Sequence, residues 1–484
     1  MAGRKRDVIL YELNEVPWSI VDFYVERRPK SNFAELLNGG QTLTTRHAAS
    51  APPELKHLQP WRTWPSLHNS TFEHNSFDLG QDPATFRGDP IWDVADRAGL
   101  SVGIFGPLQS WPARRFGNGG FYVPDTFSKD SKTYPASLSR FQAFNLAMTG
   151  QNGFTSDATL NPKSLLGTGV DLVRLGLTPR SAGTLAAHLA REAKDERYKQ
   201  RRASMQVLPS FDLYWRLHRK YQPRLSVFFT NHVASMMHRF WGDAMPGYTN
   251  EHDYVADEVY GTFVLTAMDF TDRQLGRIRK YIASHRDSML VVAASMGQGP
   301  VAPRFSDMGL FVLDDHAKLV SRLGLPSAEL GLTMYPYLSL VFADEAAAQA
   351  AVGPIESVAI DGVGPMFSQF RVEGRTVTFA IANVIDHPDE KYGLSIPVYF
   401  RPAGAESDAT TTPADLGFTF RSRVGGDNTA YHVPEGMMLA YGAGVTRDPS
   451  RKEVDVLDVA PSLLANALGV EPAPSMRGIP SLFG

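Results

Sequence analysis

The chain has 484 residues, 48 Lys and Arg against 51 Asp and Glu, and no cysteine. A net charge of −3 argues against a dedicated nucleic-acid binder, which needs clustered positive charge. Without cysteine there is no disulfide framework, no Cys-ligated zinc, no iron–sulfur cluster and no thiol nucleophile. Any metal must be held by His, Asp, Glu or Asn, and 13 histidines are on hand.

The length suits about two to three domain-sized units, or one large domain with insertions. The apolar run from Val8 ends at Glu12, too short for the core of a signal peptide. No stretch of about 18 apolar residues occurs, so no membrane span is expected. These features predict a soluble, cytoplasmic protein. Val8 to Leu13 reads as a buried strand, broken by Asn14-Glu15-Val16-Pro17. A helix through Phe33 to Leu37 stops at Gly39-Gly40, and Arg62 to Ser70 turns into another, with Pro65 near its first turn. Ile91 to Ala98 is helical, Gly99 stops it, and Ser101 to Phe105 is a second strand. Strand, helix, strand is the mark of parallel βαβ units.

Residues 112–222 read as an insertion or cap region, with a charged, solvated helix from Leu185 to Arg202. Leu225 to Thr230 is a third strand, followed by a helix from His232 to Trp241. A long or broken amphipathic helix, Val255 to Ser284, precedes a fourth strand, Met289 to Ala294. Residues 332–390 read as a small α+β insertion, and 385–415 as loop. Met437 to Tyr441 is a last strand, and Val456 to Leu468 a closing helix stopped by Gly469.

In open α/β sheets, sites form beyond the carboxyl ends of the strands. That rule selects Asn14, Thr63, Asn231, His232 and Gln298, with His432 just before the last strand. Each has a structural alternative. Asn14 suits a turn cap, Thr63 a helix N-cap, and His238 a satisfied core position. Glu12 sits inside a strand, where an unpaired carboxylate is costly, so it needs a partner or lines the cleft. Gln298, between two glycines, suits binding of a phosphoryl or sugar oxygen. Asp458 reads as a structural acceptor.

Several motifs in order resemble one family. Thr63-Trp64-Pro65-Ser66-Leu67 is similar to the nucleophile motif of the alkaline phosphatase superfamily, in its type I phosphodiesterase/nucleotide pyrophosphatase branch. Ile91-Trp92-Asp93 through Gly106, Trp111-Pro112, His238-Arg239-Phe240-Trp241, His432-Val433-Pro434-Glu435-Gly436, and Asp455 through Leu482 resemble later segments of that branch. The resemblance implies an alkaline phosphatase-like α/β fold over residues 1–484. A mostly parallel sheet would be flanked by helices and carry helical and small α+β insertions. It also implies two metal ions, usually zinc, beside a Thr nucleophile.

This chain departs from that metal set. The positions where the resemblance expects Asp hold Asn14 and Ala234, and an expected Asp-His pair is Met296-Gly297. Thr63, His238 and His432 match. The resemblance therefore implies a degenerate centre with one divalent ion at most, Zn or Mn, on His238 and His432. His232, Asn231 and Asp427 are the nearby candidates for a third ligand. Three functions stay open. The first is a divergent phosphodiesterase acting on a phosphorylated small molecule or nucleotide-sugar. Thr63, Asn14 and His432 would be catalytic, and Gln298, Asn231 and Glu12 would bind substrate. The second is a non-catalytic binder of a phosphorylated or glycosylated ligand or a partner protein. The third is a metal-free transferase.

Overall fold

The structure is a computed structural model. It describes residues 6–47, 58–74, 87–150, 172–304, 310–331, 333, 337–382, 394–421 and 428–483. Asp427 lies outside the described residues. The chain divides into two compact units, the first from described residues up to 304 and from 428 onward, the second from those between 310 and 421.

In chain order the first unit has strand β1 (Asp7–Leu13), helices α1 (Trp18–Arg27) and α2 (Asn32–Gly39), β2 (Gln41–Arg46), α3 (Pro60–Asn69), α4 (Ile91–Arg97), β3 (Val102–Phe105) and β4 (Gly120–Val123). It continues with α5 (Pro179–Glu192), α6 (Val207–Tyr221), β5 (Leu225–Thr230), α7 (His232–Ala244), α8 (Phe263–Ser284), β6 (Ser288–Ala293) and β7 (Gly297–Arg304). After the second unit come β8 (Asn428–Val433), β9 (Glu435–Gly442) and β10 (Asp448–Asp455). Eight strands form one sheet in the order β10-β2-β9-β6-β1-β5-β3-β4. Only β9 runs antiparallel to its neighbours. This is the mostly parallel, helix-flanked α/β sheet expected from the sequence.

β1 lies between β6 and β5 and shows why the sheet forms. Its side chains alternate between faces. Ile9, Tyr11 and Leu13 enter one core with α1, α6 and α8, while Val8 and Leu10 enter another with Trp64, Leu67 and Trp92. A strand buried on both faces reads as a near-continuous apolar run, as Val8 to Leu13 does. Glu12 falls on the Val8–Leu10 side by the same alternation.

Three local expectations change. The solvated helix of the 112–222 region ends at Glu192, and a 3-10 segment, Glu196–Arg201, follows. The Asp195 carboxylate caps that segment at the amide of Arg197, which restarts the chain in a new direction. Helix α3 starts at Pro60 with Gln59 as its cap, so Thr63 is inside the helix. Its amide donates to the Gln59 carbonyl at 2.9 Å and is not available to an anion. Finally, the described part of 385–415, from 394 onward, contains two short strands, Val398–Phe400 and Ala409–Thr411. Three residues are too few to leave a readable period.

The second unit holds a four-stranded sheet of Phe367–Glu373, Thr376–Ile381, Tyr337–Val341 and Glu329–Leu330, all antiparallel. It has a core of its own, with Leu319, Leu340, Ile355, Phe379 and Phe418. Among the described residues no helix is long and apolar enough to cross a membrane.

Candidate functional site

The chain leaves β1 at Leu13, and the Asn14 amide still bonds the Thr230 carbonyl of β5 at 3.1 Å. Glu15 then adopts φ 59°, in the left-handed region that non-glycine residues rarely occupy. Such a backbone costs about 1–3 kcal/mol and persists where its surroundings hold it. Here they hold a carboxylate. Asn14 Nδ2 donates to Glu15 Oε1 at 2.8 Å, and Gln298 Nε2 donates to Oε2.

Two histidines face the same Oε2. His238 Nε2 lies 2.9 Å from it and His432 Nε2 3.4 Å. His238 comes from α7, one turn beyond Ala234. His432 comes from β8, whose antiparallel register sets it opposite Gln298 in β7. One ligand-type atom from each of Glu15, His238 and His432 falls within 4.8 Å of the others. Both rings are oriented from behind. His238 Nδ1 donates to the Ala430 carbonyl at 3.0 Å, and His432 Nδ1 to the Leu58 carbonyl at 2.6 Å.

That orientation defines the chemistry. A carbonyl only accepts, so each Nδ1 carries its proton and each neutral ring turns a lone pair at Nε2 toward the carboxylate. Three acceptors converging on one point need a cation between them, either protons on the rings or a metal ion. With protons there, burial would raise the Glu15 carboxyl, but the charges of His432 and His238 and their hydrogen bonds hold it well below the usual carboxylate range. Burial would lower His432, and Glu15 pushes it above the usual imidazole range instead.

The residues also fit one divalent ion. Two imidazoles and one carboxylate form a known zinc donor set that leaves a position open. Zinc-ligating His commonly gives its other N–H to a carbonyl, as both do here. Gln298 Oε1 is buried without a hydrogen-bond partner among the described residues, an acceptor beside the carboxylate that a metal-bound water would satisfy. Glu15 and His432 are 3% and 6% exposed at the side chain and His238 is 27%, so His238 marks the open side.

The other residues chosen from sequence fall around this centre or away from it. Asn14 Nδ2 also meets Asn231 Oδ1 at 2.6 Å, and Asn14 Oδ1 accepts from Trp64 Nε1 at 2.7 Å. Asn14 and Asn231 therefore brace Glu15. Gln298 reaches Glu15 and the Ala234 carbonyl. Thr63 is fully buried, its hydroxyl 2.7 Å from that of Ser295.

His232 is not a ligand in this geometry. Nδ1 meets Thr230 Oγ1 at 2.7 Å, and Nε2 meets the Ala267 carbonyl and Thr271 Oγ1, both at 3.1 Å. Burial lowers its pKa to about 3. Glu12 does not line the cleft either. Its Oε1 is 2.6 Å from His68 Nε2 beneath the sheet. The third member of the donor set, Glu15, was missed by sequence reasoning. The available clue was a second polar side chain directly after Asn14, at the end of a strand buried on both faces.

No protein-family model and no curated protein matches the sequence. Solved structures do. Murine ectonucleotide pyrophosphatase/phosphodiesterase 5, in an inactive form in complex with AMP, is similar at 10% identity over 98% of each chain, with a TM-score of 0.39. The human protein of the same name is similar at 10% identity over 98% of this chain and 97% of that one, TM-score 0.39. Alkaline phosphatase PafA is similar at 11% identity over 99% of each chain, TM-score 0.47.

Proposed function

We propose that the chain is a one-metal, phosphoesterase-like protein that takes a phosphorylated small molecule at Glu15, His238 and His432. The observation that carries this reading is the shared orientation of the two histidines, each holding a main-chain carbonyl through Nδ1 and turning Nε2 to one carboxylate oxygen. Zinc or manganese is the ion proposed. When bound, it would supply Lewis-acid polarisation of a phosphoryl oxygen. Asn14 and Gln298 fix the carboxylate through Oε1 and Oε2. Asn231 fixes Asn14. The ester approaches over the more exposed His238.

Thr63 is the proposed nucleophile on the strength of its motif. A Thr hydroxyl needs a base or a metal to activate it. Its partner, the Ser295 hydroxyl, supplies neither, and the side chain is fully buried. This favours a second reading in which the site binds a phosphorylated ligand without turning it over.

Metal content of purified protein and hydrolysis of bis(4-nitrophenyl) phosphate separate the readings. Stoichiometric zinc or manganese that disappears in Glu15→Gln, with turnover lost in Thr63→Ala, supports the hydrolase. Stoichiometric metal with no turnover supports the binder. A protein that takes up no metal, and whose turnover ignores both substitutions, refutes the proposal.

A further inference from the structure

The first unit has a cavity of about 950 Å³ whose lining shares no residue with the Glu15 centre. Its walls come from the end of α1, from α5 and from α8. Arg27, Arg28 and Lys30 follow one another at the first wall, and Arg180 and Arg191 stand on α5. Arg201 and Arg273 complete the cationic lining.

Among the described lining residues Asp269 and Asp272 are the carboxylates, and both are engaged; outside the lining, Glu26 pairs with Arg27 at 3.4 Å. Asp272 accepts from the Phe33 amide at 2.8 Å and from Asn32 Nδ2 at 2.9 Å. Asp269 accepts from Tyr24 Oη at 3.0 Å and Arg28 Nε at 3.3 Å. Among the described residues Lys30, Arg180 and Arg191 make no ion pair. Arg201 is 4% exposed, and its Nε has no hydrogen-bond partner. Its guanidinium lies over the rings of Tyr198 and Phe263, and Nη2 is 3.4 Å from His188 Nδ1. A buried guanidinium without a carboxylate is costly unless an anion meets it. Burial, then the charge of Arg191, lowers the pKa of Arg201. Burial, then Arg180, does the same to Arg273. The like charges of the cluster work against one another.

We propose that this cavity binds a small molecule carrying two or more phosphate groups. Its volume is that of a small-molecule site. Its cations come from the end of α1, α5, the 3-10 segment Glu196–Arg201 and α8 and meet around one open cleft, whereas a nucleic-acid face spreads them along a stripe. Arginine forks match phosphate oxygens in pairs. The surplus of cations over carboxylates exceeds what one phosphate dianion would neutralise. The proposal is independent of the function assigned to Glu15.

The test is calorimetric titration of the full chain with inorganic tripolyphosphate, in chelator so that no metal bridges the probe to Glu15. Saturable one-to-one binding is expected. The double variant Arg180→Ala/Arg191→Ala should bind at least about tenfold more weakly, and Glu15→Gln should bind as the parent does. Without ligand, the double variant should melt no lower than the parent, because it relieves like-charge repulsion. Should it fail to fold, Arg273→Gln replaces it with the same expected direction. No saturable binding up to millimolar probe overturns the proposal, as does equal affinity in the arginine variant. Orthophosphate binding as tightly as tripolyphosphate, or duplex DNA binding where tripolyphosphate does not, also overturns it.

Discussion

β1 delivers two glutamates, Glu12 and Glu15, and each meets histidine. Glu12 belongs to the strand proper, on the face that packs against α3. It pairs one-to-one with His68, and the two side chains are 0% and 1% exposed. Trp64 stacks on the His68 ring and Trp92 meets it edge-on, so nothing further can enter. Glu15 lies just past the strand, in a backbone state the strand could not supply. There one carboxylate oxygen collects two imidazoles, each oriented by a carbonyl, and one of them opens outward. His68 Nδ1 and Glu12 Oε2 by contrast have no hydrogen-bond partner among the described residues. An acid and a histidine in contact are thus a structural pair or a ligand set according to what holds the far side of the ring and whether a third group can arrive.

Of the two glutamates, Glu12 should matter more for stability, because its pair with His68 is fully buried. Removing one partner of a buried pair costs about 3–5 kcal/mol. Glu12→Ala should destabilise the protein by roughly that amount and leave metal content unchanged, as measured by urea unfolding and elemental analysis. A variant that keeps its stability but loses metal would reverse the two assignments.

Glu15→Gln is the complementary change. It should weaken zinc binding by more than the roughly 10–100-fold that loss of an outer-shell partner costs, with a smaller effect on unfolding than Glu12→Ala. Competition with a chromophoric chelator reads the affinity directly. Retained affinity would show that the histidines need no carboxylate.

Asn14→Ala probes the support of that carboxylate. Asn14 holds Glu15 Oε1, Asn231 and Trp64 at once. Outer-shell partners of metal ligands are worth about 10–100-fold in affinity. The low end, about tenfold, is expected here because Gln298 still holds Oε2. Unchanged affinity would reduce Asn14 to the turn cap that its residue type also suits.

The sheet was legible in the sequence because apolar runs such as Val8 to Leu13 announce strands buried on both faces, and Gly99 and Gly469 announce helix ends. His238 and His432 were legible through motifs with fixed neighbours. The rest depended on information that a linear pattern does not carry. Glu15 meets His238 and His432 through one left-handed residue and the β7–β8 register, which sets His432 opposite Gln298. His232 sits at the expected strand end, but the helix that begins with it turns its ring into the core, onto Thr230, Ala267 and Thr271. Thr63 looked like a helix cap because Pro65 resembles a first-turn proline, and Pro60 took that place.

His232 and His432 supply the finest test, because their environments push them in opposite directions. His232 has a folded pKa of about 3, below its unfolded value of 6.5. Its unfolded form binds the extra proton, so its contribution is present above pH 6.5 and declines as pH falls toward 3. The slope is about 1.4 kcal/mol per pH unit well below 6.5. His232→Gln should therefore lose stability at pH 7.5, and its deficit should shrink through pH 5.5. His432 has a raised folded pKa. In chelator-treated protein its contribution is present below 6.5 and lost as pH rises through the folded value. The deficit of His432→Gln should shrink toward alkaline pH. Urea titrations across this range measure both. Parallel trends for the two variants would mean that one of these histidines has been given the wrong surroundings.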